Sequence, residues 1–188
     1  HPLLGVASPW ANRAGAVDGV PRNVYESLGK FQASNRLRKA ILRLLAKEAD
    51  EARVGHLREY FRALDVHQEG CLRRAELATG LQQHLDPRNL TPADLALLLP
   101  PESGGAAGGE HVSCTDFTAA LMAEQGFGQA ELLNAFRRLD IRHAGRITFS
   151  ALSEVLRFSG ALADDFREAD VGQDGAIDFE DFCALIRS

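Results

Sequence analysis

"LADDFREADVGQDGAIDFEDF", residues 162–182, is the stretch on which the fold turns. Apolar residues at helical spacing lead to Asp170. Gly175 follows five residues later, Ile177 two beyond that, and a second helical pattern starts at once. The same plan recurs in "LREYFRALDVHQEGCLRRAEL" (57–77) and "LLNAFRRLDIRHAGRITFSAL" (132–152). A fourth copy, "EHVSCTDFTAALM" (110–122), keeps only the second half. Setting its Val112 in register with Leu72, Ile147 and Ile177 puts the start of its loop at Gly105. Thr91-Pro92-Ala93-Asp94 ahead of "LALLL" then reads as the start of that copy's first helix, with a capping residue and a proline in the first turn. Repetition of one plan marks stacked supersecondary units.

Helix, twelve-residue loop, helix is the plan of the EF-hand. Positions 1, 3 and 5 of its loop supply side-chain oxygens, and a glycine at 6 permits a sharp turn. Position 7 gives a carbonyl, 9 often acts through water, and a Glu at 12 closes the shell with both oxygens. The apolar residue at 8 pairs with its counterpart in the neighbouring loop as a short β-bridge. Four copies make two pairs. The expectation is an all-α fold of two EF-hand lobes, four paired helix–loop–helix units, preceded by a long amphipathic helix. Stability is expected from the apolar stripes around Phe61, Leu64, Phe136, Leu139, Phe166 and Phe179.

As ligand sets the loops differ sharply. The fourth has Asp170, Gly172, Asp174, Gly175, Ala176, Asp178 and Asp181 at positions 1, 3, 5, 6, 7, 9 and 12. Gly172 has no side chain to offer, so water must fill that vertex. Asp181 is one methylene shorter than Glu and closes less readily around a large ion, which favours the smaller magnesium. The expected set is Asp170, Asp174, the Ala176 carbonyl, Asp178 and Asp181, holding one calcium ion weakly or a magnesium ion instead. The first loop offers a poorer set: Asp65, Glu69, the Cys71 carbonyl and Glu76. There His67 at position 3 is a poor ligand for a hard cation, and Arg73 at position 9 adds a positive charge. The second loop has no side-chain oxygen at positions 1, 3 or 5. The third sets Arg142, Ala144 and Arg146 after Asp140 and ends on Ala151, so neither is expected to bind metal.

Ordinary apolar (45%) and charged (25%) contents over 188 residues allow one or two small globular domains. No apolar run approaches the roughly 20 residues of a membrane helix, and the opening residues carry no signal-peptide pattern. Cys71, Cys114 and Cys183 are odd in number and far apart, as suits a reducing compartment, so a cytoplasmic location is expected. The net charge of −5 argues against nucleic acid as the main partner. The six histidines and three cysteines form no zinc-like spacing. "SGGAAGG" (103–109) lacks the lysine and Ser/Thr of a phosphate loop. Catalysis by this chain is not expected.

That charge is unevenly spread. Residues 20–47 hold seven Lys/Arg against Glu26 alone, while the remainder holds 14 basic and 25 acidic residues. "SNRLRKAILRLLAKEAD" (34–50) plots as an amphipathic helix with Ser34 or Asn35 as cap. Leu37, Ile41, Leu42, Leu44 and Leu45 share one arc and Arg36, Lys39, Arg43 and Lys47 the other, with Arg38 intruding. A basic amphipathic helix beside an acidic EF-hand body reads as an intramolecular target, docked through Leu37, Ile41, Leu44 and Leu45.

The order "VPRNVYESLGKFQASNRLRKAILRLLAKEADEARVGHLREYFRALD" followed by four EF-hands resembles the regulatory tail of calcium-dependent protein kinases, those of plants and protist parasites with a fused calmodulin-like domain. The L-x-x-F-x-x-x-N-x-L-x-K-A-x-L run from Leu28 to Leu42 is its specific part, and the opening "HPLL" is similar to the element that ends a kinase catalytic domain. The resemblance implies that residues 1–19 are the tail of a kinase domain and linker, 20–50 an autoinhibitory junction helix, 51–123 the N-terminal lobe and 124–188 the C-terminal lobe. It further implies a non-catalytic piece of a serine/threonine kinase whose partners are its own kinase domain and junction helix. A second copy of the fragment is a further candidate partner. This chain departs from the family in keeping at most one or two usable loops. The other reading is therefore a calcium-independent EF-hand scaffold that holds a partner helix as light chains do.

Overall fold

The computed structural model describes residues 24–73, 76–77, 111–157 and 162–187. The start of the second loop, the expected helix at 91–94, the Gly-rich stretch 103–109 and the opening residues 1–19 lie outside them. Among the described residues the chain is helical apart from four very short strands. The elements are α1 (Val24–Ala33), α2 (Arg36–Glu48), α3 (Glu51–Leu64), β1 (Cys71–Arg73), β2 (His111–Ser113), α4 (Cys114–Gln125) and α5 (Gln129–Leu139). After these come β3 (Ile147–Thr148), α6 (Phe149–Leu156), α7 (Ala163–Ala169), β4 (Ala176–Ile177) and α8 (Phe179–Arg187). No helix among them is long and apolar enough to cross a membrane.

The strands pair as the repeat register requires. Antiparallel β1–β2 sets Leu72 opposite Val112, and β3–β4 sets Ile147 opposite Ile177. All four of these residues are buried. Each bridge joins two loops back to back, so the helices leaving them share a core. In the first pair Phe61 meets Phe117 edge-on with ring centroids 5.5 Å apart. In the second Phe136 meets Phe179 and Phe182 edge-on at 5.4 and 5.6 Å, and Phe149 meets Phe166 at 5.5 Å. Of the aromatic residues expected in the core, Phe61, Phe136 and Phe166 are buried and Phe179 half-buried; Phe117 and Phe182, fully buried, complete it.

The segment ahead of the first EF-hand is two helices rather than one long helix. Ser34 closes α1, its hydroxyl and N–H both donating to the Lys30 carbonyl. Asn35 then turns extended (ψ 163°) and its side-chain oxygen accepts from the Arg38 N–H at 2.8 Å, opening α2. A side chain able to cap competes with the helical backbone at its own position, so the chain breaks there. Helix α1 packs on α4; α2 packs on α4 and also on α5, α7 and α8, bridging the two EF-hand pairs.

The apolar arc of α2 faces inward, with Leu37, Ile41, Leu42, Leu45 and Ala46 buried. Leu44, expected in the buried arc, is half-buried against the core. Lys39, expected on the exposed arc, is half-buried too, its Nζ donating to the Gln32 carbonyl at the end of α1. The kink between the helices brings that carbonyl within reach, which a single straight helix would not do. Arg36, Arg43 and Lys47 are exposed.

Candidate metal centre

Three loops share one backbone. The residue at position 4 is left-handed in each (Gln68 φ 55°, His143 φ 53°, Gln173 φ 53°), as is the glycine at position 6 (Gly70 φ 74°, Gly145 φ 75°, Gly175 φ 83°). A side chain at position 6 would strain the turn. The Asp at position 1 anchors this shape through its two oxygens. Asp65 accepts from the N–H groups of Glu69 (3.0 Å) and Gly70 (2.8 Å). Asp140 accepts from Ala144 (3.1 Å) and Gly145 (2.8 Å), and Asp170 from Asp174 (3.2 Å) and Gly175 (2.8 Å). All three carboxylates are buried. The third loop, with no ligand set, keeps its Asp for this purpose; ligand counting alone gave that residue no role.

The fourth loop gathers the hard-oxygen donors of the expected set around one cavity of about 170 Å³, lined by Gly172, Asp174, Ala176, Asp178, Asp181 and Arg146. Asp170, also of the expected set, does not line it; its oxygens accept from the loop amides. A Cβ on Gly172 would meet nothing closer than Asp170 Oδ1 at 4.0 Å, so the missing vertex is open space. Asp178 accepts from the Asp181 N–H at 2.8 Å and so caps the last helix. Burial, followed by the negative charges of Asp178 and Asp170, pushes the Asp181 carboxyl above the usual aspartate range. All-oxygen chemistry, an open vertex and mutually repelling carboxylates fit a hard divalent cation. Among the described residues no group of three or more His, Cys, Asp or Glu is already drawn together as a complete metal cluster. The carboxylates line the cavity without converging in it.

In the first loop basic groups of the chain take up the expected ligands. Glu76, buried at position 12, receives His67 Nδ1 at 2.7 Å on one oxygen and the Arg73 N–H at 2.9 Å on the other. Burial alone would raise the Glu76 carboxyl, but the hydrogen bonds from Arg73 and His67 outweigh it and leave the group below its ordinary value. Glu69 is gripped by the Arg73 guanidinium, with contacts of 2.6–3.0 Å. Cys71 lies in β1, opposite Ser113. The first-loop set is thus assembled but neutralised from within. Reading ligands position by position gives the charge of Arg73 and the poor chemistry of His67, but not their pairing with Glu69 and Glu76.

The same substitution recurs at position 12 of the second loop, Asp116, which takes the guanidinium of Arg43 from α2. Arg43 also lies 5.8 Å from the centre of the Phe31 ring. At the other end of α2, Asp165 accepts from the Leu37 N–H at 3.1 Å, and Arg38 donates to the Ile186 carbonyl at 3.1 Å.

Comparison with known proteins agrees with this geometry. A family model described as an EF-hand domain pair matches residues 129–187. Calcium-dependent protein kinase 34 of Arabidopsis thaliana is 29% identical over 187 residues, covering 95% of this chain and 35% of that protein. Calcium-dependent protein kinase 21 of the same plant is 28% identical, covering 96% and 34%. Calcium-dependent protein kinase 19 of Oryza sativa subsp. japonica is 27% identical, covering 95% and 34%. A crystal structure of a C-terminal domain overlays with a TM-score of 0.43 at 18% identity, covering 89% of this chain and 98% of that one, a likeness too loose to carry weight. The chain spans about a third of the length of the kinases it matches. Residues 129–187 match an EF-hand domain pair, and along nearly its whole length the chain is similar to calcium-dependent protein kinases.

Proposed function

We propose that this chain is the calmodulin-like regulatory unit of a calcium-dependent serine/threonine protein kinase. Residues 20–50 act as its junction, and its single usable metal site lies in the fourth loop. The observation that carries this reading is the seat of α2 across both EF-hand pairs, beside one loop that keeps four carboxylates. Bound calcium supplies the double positive charge that those carboxylates otherwise lack. Asp181 lies in the first turn of α8, and the last turn of the same helix offers the Ile186 carbonyl to Arg38. A change at the loop is therefore felt, through one short helix, at the junction. In the parent protein the junction would be held either by this body or against the kinase cleft.

A second reading, the calcium-independent scaffold, is favoured by one observation. Arg73, His67 and Arg43 already pair with Glu69, Glu76 and Asp116, so the first pair has little use for metal. An ion without differential affinity for two states cannot shift them. Calorimetry with calcium and with magnesium separates the readings when paired with amide exchange across residues 36–47. The regulatory reading expects one weakly bound ion per chain, lost in Asp181→Ala, with exchange across α2 altered by the ion. Two or more calcium ions per chain would overturn the one-site assignment. One bound ion without change in α2 exchange would leave the scaffold.

A further inference from the structure

Arg146 stands at position 7 of the third loop, where an EF-hand uses only the main-chain carbonyl, so its side chain is free of any ligand duty. It immediately precedes Ile147, whose pairing with Ile177 sets the third and fourth loops back to back. From there the guanidinium crosses to the neighbouring loop, and its NH1 lies 3.1 Å from Asp174 Oδ2. The other oxygen of Asp174, Oδ1, accepts from the Ala176 N–H at 3.1 Å. Both oxygens of the position-5 ligand are thus engaged, and Arg146 lines the same cavity as Gly172, Asp178 and Asp181. Within the first loop Arg73 holds the position-5 acid Glu69 in the same way. In both described loops that keep an acid at position 5, an arginine holds it.

We infer that Arg146 is a tethered cation that competes with a divalent ion for the fourth loop and sets the concentration at which that loop fills. The inference rests on the proposed fourth-loop site. A metal that takes Asp174 must displace the guanidinium, and it also meets that group's charge across the cavity. The pair is about half exposed, so water and salt screen much of the effect. Arg142, also exposed and also in the third loop, lines no part of this cavity. A bulk-charge effect would therefore act equally through both arginines, whereas competition acts through Arg146 alone.

The test is calcium calorimetry on the whole chain, unmodified and as Arg146→Gln and Arg142→Gln, at low and high salt. Arg146→Gln should bind calcium about three- to ten-fold more tightly, the size expected of one unit charge removed from a partly screened site. Arg142→Gln should change affinity less than about two-fold, and the Arg146→Gln gain should shrink in salt. Equal gains from the two variants would reduce the effect to net charge and overturn the inference. So would an unmodified chain that binds one ion with the affinity of Arg146→Gln. Binding by neither form would instead bring down the fourth-loop site itself, and the inference with it. Binding by Arg146→Gln alone would support both.

Discussion

Arg38 donates to the main-chain carbonyl of Ile186 at 3.1 Å, tying the second helix of the chain to the last turn of its final one. The last carbonyls of a helix lack intrahelical partners, and a cation there meets the negative end of the dipole. This explains why a basic residue intrudes on the apolar arc of α2. Arg38→Ala should cost about 1.5–3 kcal/mol in denaturant unfolding, the range for hydrogen bonds to charged groups. Exposed Arg36→Ala should be close to neutral. Equal effects from the two substitutions would remove the tie.

Lys39 and Lys47 lie on the same basic arc, yet their surroundings predict different outcomes. Lys39 reaches the Gln32 carbonyl and is half-buried, and that burial followed by the charge of Arg43 lowers its pKa, while Lys47 is exposed. Lys39→Glu should destabilise by about 1 kcal/mol or more, since an acid there meets a carbonyl acceptor; Lys47→Glu should stay within about 0.5 kcal/mol. Leu37→Glu goes further, setting a carboxylate in the core close to Asp165, whose oxygen already holds the Leu37 N–H. Fast amide exchange across α2 in Leu37→Glu, against slow exchange in Lys47→Glu, is the expected result.

Asp140 predicts a cost where no metal is at stake. It anchors the third loop by accepting from Ala144 and Gly145, and it is 4% exposed. Asp140→Ala should destabilise by about 1–3 kcal/mol, with or without a chelator, because two loop N–H groups lose their acceptor. For the same reason Asp170→Ala confounds metal loss with loop damage. Asp181→Ala tests binding more cleanly, because Asp170 still holds the turn amides of Asp174 and Gly175, whereas Asp178→Ala also removes the acceptor of the Asp181 N–H. A harmless Asp140→Ala would show that the position-1 acid is a relic.

How far the sequence foretold this varies by feature, for physical reasons. The register of the two bridges was legible because Leu72, Val112, Ile147 and Ile177 each sit at a fixed offset from a loop glycine or loop start. The inward arc of α2 followed from helical periodicity, which Leu37, Ile41 and Leu45 obey. Asn35 reads from the sequence only as a cap: propensity says where a helix can start, not that another ends two residues earlier. The pairings of Arg43 with Asp116 and Arg146 with Asp174 join residues from separate units. Such long-range geometry leaves no trace in spacing, and it decides how the loops are neutralised.

Glu76 gives the first pair a pH dependence of known sign. Its folded carboxyl lies below the ordinary value of 4.5, so the unfolded chain binds more protons in acid. Its stabilising contribution is full above that value and is lost as pH falls through the folded one. Asp181 has the opposite sign: raised in the fold, it favours the folded chain at low pH and withdraws that support as pH rises through its folded value. Stability measured from about pH 6 down to about pH 3 should fall less steeply in Glu76→Gln than in the unmodified chain. A parallel pair of curves would mean that the His67 and Arg73 hydrogen bonds do not persist in solution.

Removing metal should leave the fold standing. Both bridges, the loop anchors at Asp65, Asp140 and Asp170, and the aromatic clusters are satisfied by the chain's own atoms. No buried side-chain nitrogen or oxygen among the described residues lacks a partner. Where metal binding drives folding, its ligands are left as uncompensated charges in the apo chain; here arginines and backbone N–H groups already answer most of them. Apolar packing outweighs any metal contribution. Phe182 is fully buried and meets Phe136 edge-on, so Phe182→Ala should cost about 3–5 kcal/mol by removing both the buried area and the ring pair. A chelator should therefore leave helical circular dichroism unchanged at 25 °C, while Phe182→Ala lowers the unfolding midpoint steeply. Collapse on chelation would make the fourth loop a structural metal site, and Arg146 would then be a minor influence on it.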